Sequence, residues 1–336
     1  MKHWQLALRW TITLGALGYV ASHVDWRQLG GRIAQAHPGW VTLSSLLSIG
    51  VILLMGLRWK CVLRACDLRV PVGSTTSVTF IGQFFNSFLP GSTGGDVVKA
   101  WYASKWAPER KAAPAVSIVY DRLIAMLTLL IVTATVLGLQ AAAQADLRWL
   151  FERFMLLALV SVGGVAVFYG IARTFGRGLL EKIAGEHPIR RFLTRHLASC
   201  RLAPDSTPHF LLALAAAIPA HLVNVAAALC IARAVQLDVT FLQCAVAVAF
   251  VNFSSVLPVS IGGHGVREAG FVFVFGLYGV LGRDLAHDPV FESVLAFSIL
   301  FYARSLISSL PGGACYVLFR RQQRDALEAG GSLAVS

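Results

Sequence analysis

The sequence predicts an all-α, polytopic membrane protein with about six full transmembrane helices and two re-entrant helical hairpins related by an inverted internal repeat. Three observations predict it. Of 336 residues, 56% are apolar and only 14% charged, whereas a soluble chain carries about a quarter charged residues. Stretches without Asp, Glu, Lys or Arg cover 33–57, 70–95, 123–145, 154–172, 206–232 and 239–266, each near or above the ~20 residues that a helix needs to cross ~30 Å of hydrocarbon. A Leu-Pro-x-Ser-x-Gly-Gly motif occurs twice, 168 residues apart. Soluble-enzyme and nucleic-acid-binding classes are disfavoured despite the formal charge of +12, because in a membrane protein positive charge carries meaning by position.

The first apolar run, 10–24, follows Lys2 and Arg9 and has the length of a signal peptide. No small-residue cleavage site follows it, and Asp25-Trp26-Arg27 reads as an interfacial flank, so a retained first helix is predicted near 8–23. Segment 24–38, with Arg27, Gln28, Arg32 and Gln35, is polar enough to lie along the interface. Further spans are predicted near 40–58, 113–139, 151–172, 208–232 and 291–319. The clusters at Lys2/Arg9, 58–69, 99–111, 173–201 and 320–324 hold 20 of the 29 basic residues, which assigns them to the cytoplasm together with both termini.

With the sides so fixed, the apolar runs 72–90 and 241–257 must return to the side they came from. Both are interrupted by Leu-Pro, Ser and Gly-Gly, as expected where backbone turns inside a membrane protein. Re-entrant hairpins are predicted near 72–108 and 241–282, with an eight-span chain as the competing count. The halves of this single membrane domain run 1–140 and 141–320, followed by a cytoplasmic tail, 321–336, whose Gly-Ser-rich end at 329–336 is expected to be disordered. The connection 173–207 carries seven basic residues and reads either as an amphipathic helix on anionic headgroups or as a solvated loop. The six cysteines show no CxxC spacing and read as small buried hydrophobes.

The repeat carries the functional reading. Residues 85–99 align without a gap on 253–267, with eight of fifteen positions identical and Lys99 matched by Arg267. Three predicted spans separate the copies, so they are inverted, and paired broken segments of this kind point to a substrate site near the midplane. Pro90 and Pro258 end the entering helix, and Gly94, Gly95, Gly262 and Gly263 let the backbone turn. Amides at the start of the next helix favour an anion. Ser92 and Ser260 supply hydrogen bonds, and Lys99 and Arg267 supply positive charge. The plain alternative is that the glycine pairs only permit close helix packing.

Arg122 and Arg304 lie within predicted spans, where an arginine costs at least ~2.5 kcal/mol and normally faces a polar interior. Arg122 is close enough to its helix end to snorkel; Arg304 lies midway. Asp96 and His264 occupy equivalent places, either as a carboxylate and a proton-responsive group or as polar helix caps. Glu268 is placed to pair with Arg267. His221 and Asn224 read as interhelical hydrogen-bonding residues.

Asn86 through Asp96, the Asp121-Arg122 pair, Leu257-Pro258 and Gly262 through Glu268 resemble the lysylphosphatidylglycerol synthase transmembrane-region family over nearly the whole chain. The resemblance implies a flippase-like bacterial or archaeal inner-membrane protein that moves a lipid headgroup between leaflets. Resistance-factor members carry a soluble aminoacyltransferase domain after the membrane region. This chain ends about 17 residues after its last predicted span, so it is not expected to synthesise lysyl-lipid itself.

The leading function is therefore translocation of a phosphate-bearing lipid with an anionic headgroup: a phospholipid, an aminoacyl-phospholipid or a polyprenyl-phosphate glycolipid. The competing class is a non-transporting accessory subunit of a glycosyltransferase or envelope-lipid assembly complex, and both classes leave room for a lipid-synthesising enzyme as partner. A membrane-embedded enzyme is disfavoured because the sequence holds no H-E-x-x-H or G-x-S-x-G motif and no dense metal-ligand cluster. No cofactor, metal or nucleic-acid partner is expected, and no ATP phosphate loop occurs.

Overall fold

The structure, a computed structural model, describes residues 18, 24–88, 94–107, 112–141, 147–174, 206–256, 265–282, 288 and 290–328. Over these the chain forms helices α1 (Trp26–Ala34), α2 (Pro38–Ala65), α3 (Val72–Phe88), α4 (Gly94–Ser104), α5 (Ala112–Ala141), α6 (Arg148–Thr174), α7 (Ser206–Ala234), α8 (Phe241–Val256), α9 (Val266–Leu277) and α10 (Phe291–Glu328). No strand occurs among the described residues. The chain is an all-α, multi-pass membrane protein: five helices are long and apolar enough to cross a bilayer, at Pro38–Ala65, Ala113–Ala141, Arg148–Val167, Ser206–Ala234 and Phe291–Phe319.

Those five coincide with predicted spans. The predicted span at 8–23 lies outside the described residues apart from Gly18, as do 175–205 and 329–336. α10 runs on as helix to Glu328, past the expected end of its span at 319. The interfacial segment contains α1, a short amphipathic helix with Leu29 buried and Trp26 exposed. Asp25 caps it by accepting from the Arg27 and Gln28 amides. Hydrogen bonds from the Gln28 backbone and side chain hold the Asp25 carboxyl below the usual carboxylate range.

The repeat is visible in the backbone. α2 begins at Pro38 and α7 at Ser206, 168 residues later. Both helices end in the same Schellman turn: Leu68 N donates to Leu63 O at 2.9 Å and Leu237 N to Ala232 O at 2.9 Å. Each turn places a non-glycine residue in the left-handed region, Asp67 at φ 61° and Gln236 at φ 57°. The two helices run antiparallel, since His37 N donates to Ala234 O at 3.0 Å and Ser44 Oγ to Ala227 O at 2.6 Å. Helices with the same place in the repeat thus point in opposite directions, which is what an inverted repeat requires. Buried alanines at 213, 217, 220, 227 and 228 keep much of α7 slim, and small residues let helix backbones approach where lipid is as apolar as leucine.

α4 and α9, of 11 and 12 residues, rise only ~16–18 Å, too little to cross the hydrocarbon. Each folds back on the helix before it. Gly82 faces Gly95 and Lys99 across the α3–α4 pair, and a Cβ on Gly95 would strike the Gly82 carbonyl oxygen. Gly270 faces Phe250 and Val251 across the α8–α9 pair. The first pair is held against α10, where Gly312 packs onto the Phe80 carbonyl. One buried cluster, around Trp59, Leu63, Ile81 and Ile124, belongs mainly to the first half. The other centres on α7–α10, where Phe271 meets Phe297 edge-on at 4.9 Å.

Gln236 is exposed and sits in a backbone conformation that only glycine adopts without cost. Gln236→Gly is expected to stabilise the protein by about 0.5–1 kcal/mol, read as a raised midpoint of thermal unfolding in detergent.

Candidate functional site

Seven helices from both halves enclose a cavity of about 520 Å³. α2 contributes Ser48 and Arg58, α3 Gln83, α4 Asp96, α5 Arg122, α7 His221 and Asn224, α8 Asn252, and α10 Arg304 and Ser308. Val51, Ile52, Met55, Met126 and Leu129 make up much of the rest of the wall. A small number of polar groups set in an apolar wall is the usual form of a small-molecule site.

Two carboxylates neutralise much of the positive charge. Arg58 grips Asp121 with both arms of its fork, at 2.8 and 3.1 Å. Lys99 Nζ lies 3.6 Å from the same carboxylate and 3.8 Å over the Trp59 ring. The indole is itself fixed by donating to Ser117 Oγ at 3.0 Å. Nearer the open side, Arg122 makes a second bidentate pair, with Asp96, at 2.9 and 3.0 Å. Planar fork-on-carboxylate pairing is geometrically selective.

Arg304 has no such partner. It is 3% exposed, and among the described residues no carboxylate lies within ion-pair distance. Its Nη1 donates to Ser48 Oγ at 2.6 Å and its Nη2 to Asn224 Oδ1 at 2.9 Å. The Phe301 ring lies 4.1 Å below the guanidinium, and Nε is buried without a hydrogen-bond partner. Nearby His221 Nε2 lies 3.1 Å from both Ala125 O and Thr128 Oγ1. A carbonyl can only accept, so Nε2 carries a proton and donates to Ala125 O.

The second hairpin holds its charge differently. Arg267 pairs with Glu268 at 2.5 Å, lies 3.4 Å from Ser298 Oγ and covers the Tyr302 ring at 4.5 Å. Glu268 also accepts from Gly265 N at 2.7 Å, closing the start of α9. The Tyr302 hydroxyl donates to Ser87 O at 3.2 Å, so one aromatic ring links the second hairpin's arginine to the end of α3 in the first.

Of the residues singled out by sequence, Asp96, Arg122 and Arg304 line the cavity. Lys99 is buried beside it through Asp121, Gly94 opens α4, and Gly95 serves the close α3–α4 contact, where its amide donates to Asn86 Oδ1 at 2.8 Å. Arg267 and Glu268 are buried together and are not among the cavity's lining residues. Ser92, Ser260, Gly262, Gly263 and His264 lie outside the described residues. Sequence reasoning missed Arg58 as a cavity residue. It stands in a basic cluster with Lys60 and Arg64, and nothing in that cluster marks it as the one turned inward onto Asp121. His221 and Asn224, read only as helix-pairing groups, also face the cavity.

The model of the family described as "Lysylphosphatidylglycerol synthase TM region" matches residues 6–286. The chain belongs to that family. The match spans both hairpins and all the cavity-lining helices except α10, which brings Arg304. No curated protein matches the chain. Among the described residues of this family member, no group of three His, Cys, Asp or Glu is placed to hold a metal ion.

Asp121 is buried and answers two cations. Asp121→Asn would leave both without a full counter-charge and is expected to cost about 3–5 kcal/mol. Lys99→Ala, which keeps the Arg58–Asp121 fork, is expected to cost clearly less. Thermal unfolding of the two purified variants in one detergent checks the order.

Proposed function

We propose that this protein is a lipid translocase of the flippase type, which moves a phosphate-bearing lipid between the leaflets of the inner membrane and releases it chemically unchanged. The candidate lipids are a phospholipid, an aminoacyl-phospholipid or a polyprenyl-phosphate glycolipid. In this reading both termini face the cytoplasm, and a lipid-synthesising enzyme supplies the substrate.

The observation that carries the reading is Arg304. A guanidinium buried in a membrane helix without a carboxylate is costly, and here it borders a cavity of about 520 Å³ with one N–H unanswered. A lipid phosphate supplies both the missing charge and the missing acceptor. The volume suits a headgroup, with the acyl or prenyl chains left in the bilayer. The inverted pair α2 and α7 supports alternating access, because exchanging the conformations of two antiparallel halves turns an inward-facing cavity outward.

Reconstituted liposomes carrying a headgroup-labelled phospholipid test the proposal. Faster loss of label to an external quencher or reductant is expected with the protein present. Chemically altered lipid would indicate an enzyme instead, and unchanged lipid with no acceleration would indicate the accessory role. Arg304→Ala removes charge-assisted hydrogen bonds worth ~1.5–3 kcal/mol, so a loss of roughly tenfold to hundredfold in rate is expected. Arg304→Lys is expected to retain part of the activity, since it keeps the charge but loses the fork.

A further inference from the structure

The two arginines that echo each other in α5 and α10, Arg122 after Tyr120 and Arg304 after Tyr302, are treated unequally. Arg304 is 3% exposed and, among the described residues, has no carboxylate within ion-pair distance. The Arg122 side chain is 50% exposed and carries a bidentate carboxylate, Asp96, itself 22% exposed. Both members of that pair line the cavity, whereas the other ion pair at the cavity, Arg58–Asp121, is almost wholly buried.

Asp96 does not belong to Arg122's helix. It sits in the first turn of α4, on the returning limb of the first hairpin, and its pairing joins that hairpin to α5. Its two oxygens occupy Arg122 Nε and Nη2, the donors with which a guanidinium grips a phosphate in the same planar geometry. An anion that enters from the open side meets Arg122 before Arg304 and finds the fork already filled.

We infer that Asp96 is a built-in competitor for the ligand's anion: an entering lipid phosphate displaces the Asp96 carboxylate from Arg122, and that exchange unlatches the first hairpin from α5. When the cavity empties, Asp96 recaptures Arg122 and the latch closes. The exchange swaps one bidentate anion for another, so the charge at Arg122 stays balanced at each step while the mechanical link between α4 and α5 is made or broken. This inference rests on the headgroup reading of the cavity and adds to it a coupling between occupancy and hairpin position.

The test is equilibrium binding of a fluorescent phosphatidylglycerol to the purified full chain in neutral detergent, with thermal unfolding as the check on folding. Asp96→Asn is expected to bind about two- to fivefold more tightly than the native protein, the range set by the loss of one partly exposed competing ion pair. Arg122→Ala is expected to bind more weakly. Adding Asp96→Asn to Arg122→Ala is expected to change nothing further, because the competitor acts only through that guanidinium. Hydrogen exchange over 94–104 is expected to quicken in Asp96→Asn, and in the native protein when the lipid is added. Should Asp96→Asn fail to fold, Asp96→Ala makes the same comparison.

Binding by Asp96→Asn that is unchanged or weaker would overturn the competitor role while leaving the headgroup site intact. So would tightening that persists without Arg122. Absence of any lipid binding by the native chain would instead overturn the headgroup reading, and the latch with it. Slower exchange over 94–104 on lipid addition would overturn the unlatching step.

Discussion

A charge held within hydrocarbon has no water to turn to, so each one must be answered from within the protein. That constraint organises the centre of this molecule. Arg58, on α2, would be a misplaced interfacial residue were Asp121 on α5 not there to meet it, and Lys99 on α4 is tolerated by the same carboxylate and by the face of Trp59. Three helices are thereby fixed around one anion. On the other side, α9 keeps its own Glu268 beside Arg267, and Ser298 and Tyr302 of α10 add to that pair. Arg304 is the departure from the pattern, answered among the described residues by neutral oxygens and an aromatic face.

The inverted repeat supplies the frame on which these charges are placed. Packing of α2 against α7 is possible because α7 carries alanine where its partner comes close, and because hydrocarbon offers helices no hydrophobic reason to associate beyond fit. Matching Schellman turns after both helices start the chain into its two hairpins with the same geometry, from different residues. The symmetry stops at chemistry. Asp121 has Ala303 at the corresponding distance before its arginine, and Glu268 corresponds to Ala100, so the acid needed to satisfy each hairpin sits on different elements in the two halves. The scaffold is symmetric while its counter-charges are not.

The role of the first hairpin follows from its attachments. Close backbone contact at Gly82 and Gly95 makes α3 and α4 a stiff unit, and Gly312 seats that unit on α10. Tyr302 then ties the end of α3 to the charged start of the second hairpin.

Composition, uncharged runs and the duplicated motif determined that this chain spans a membrane as helices, where five of those helices lie, and that the two halves repeat, because hydrophobic length and backbone-breaking residues act locally and are written in order along the chain. The same patterns marked Asp96, Arg122 and Arg304 by their improbable position in apolar sequence. Only tertiary structure decided that Arg58 faces inward while Lys60 and Arg64 in the same cluster do not line the cavity, that Gly95 is needed for contact with Gly82, and that Arg267 is already neutralised while Arg304 is not. Each of those outcomes depends on which carboxylate or carbonyl arrives from a distant element, and a linear sequence records the charge on a side chain but not the partner that answers it.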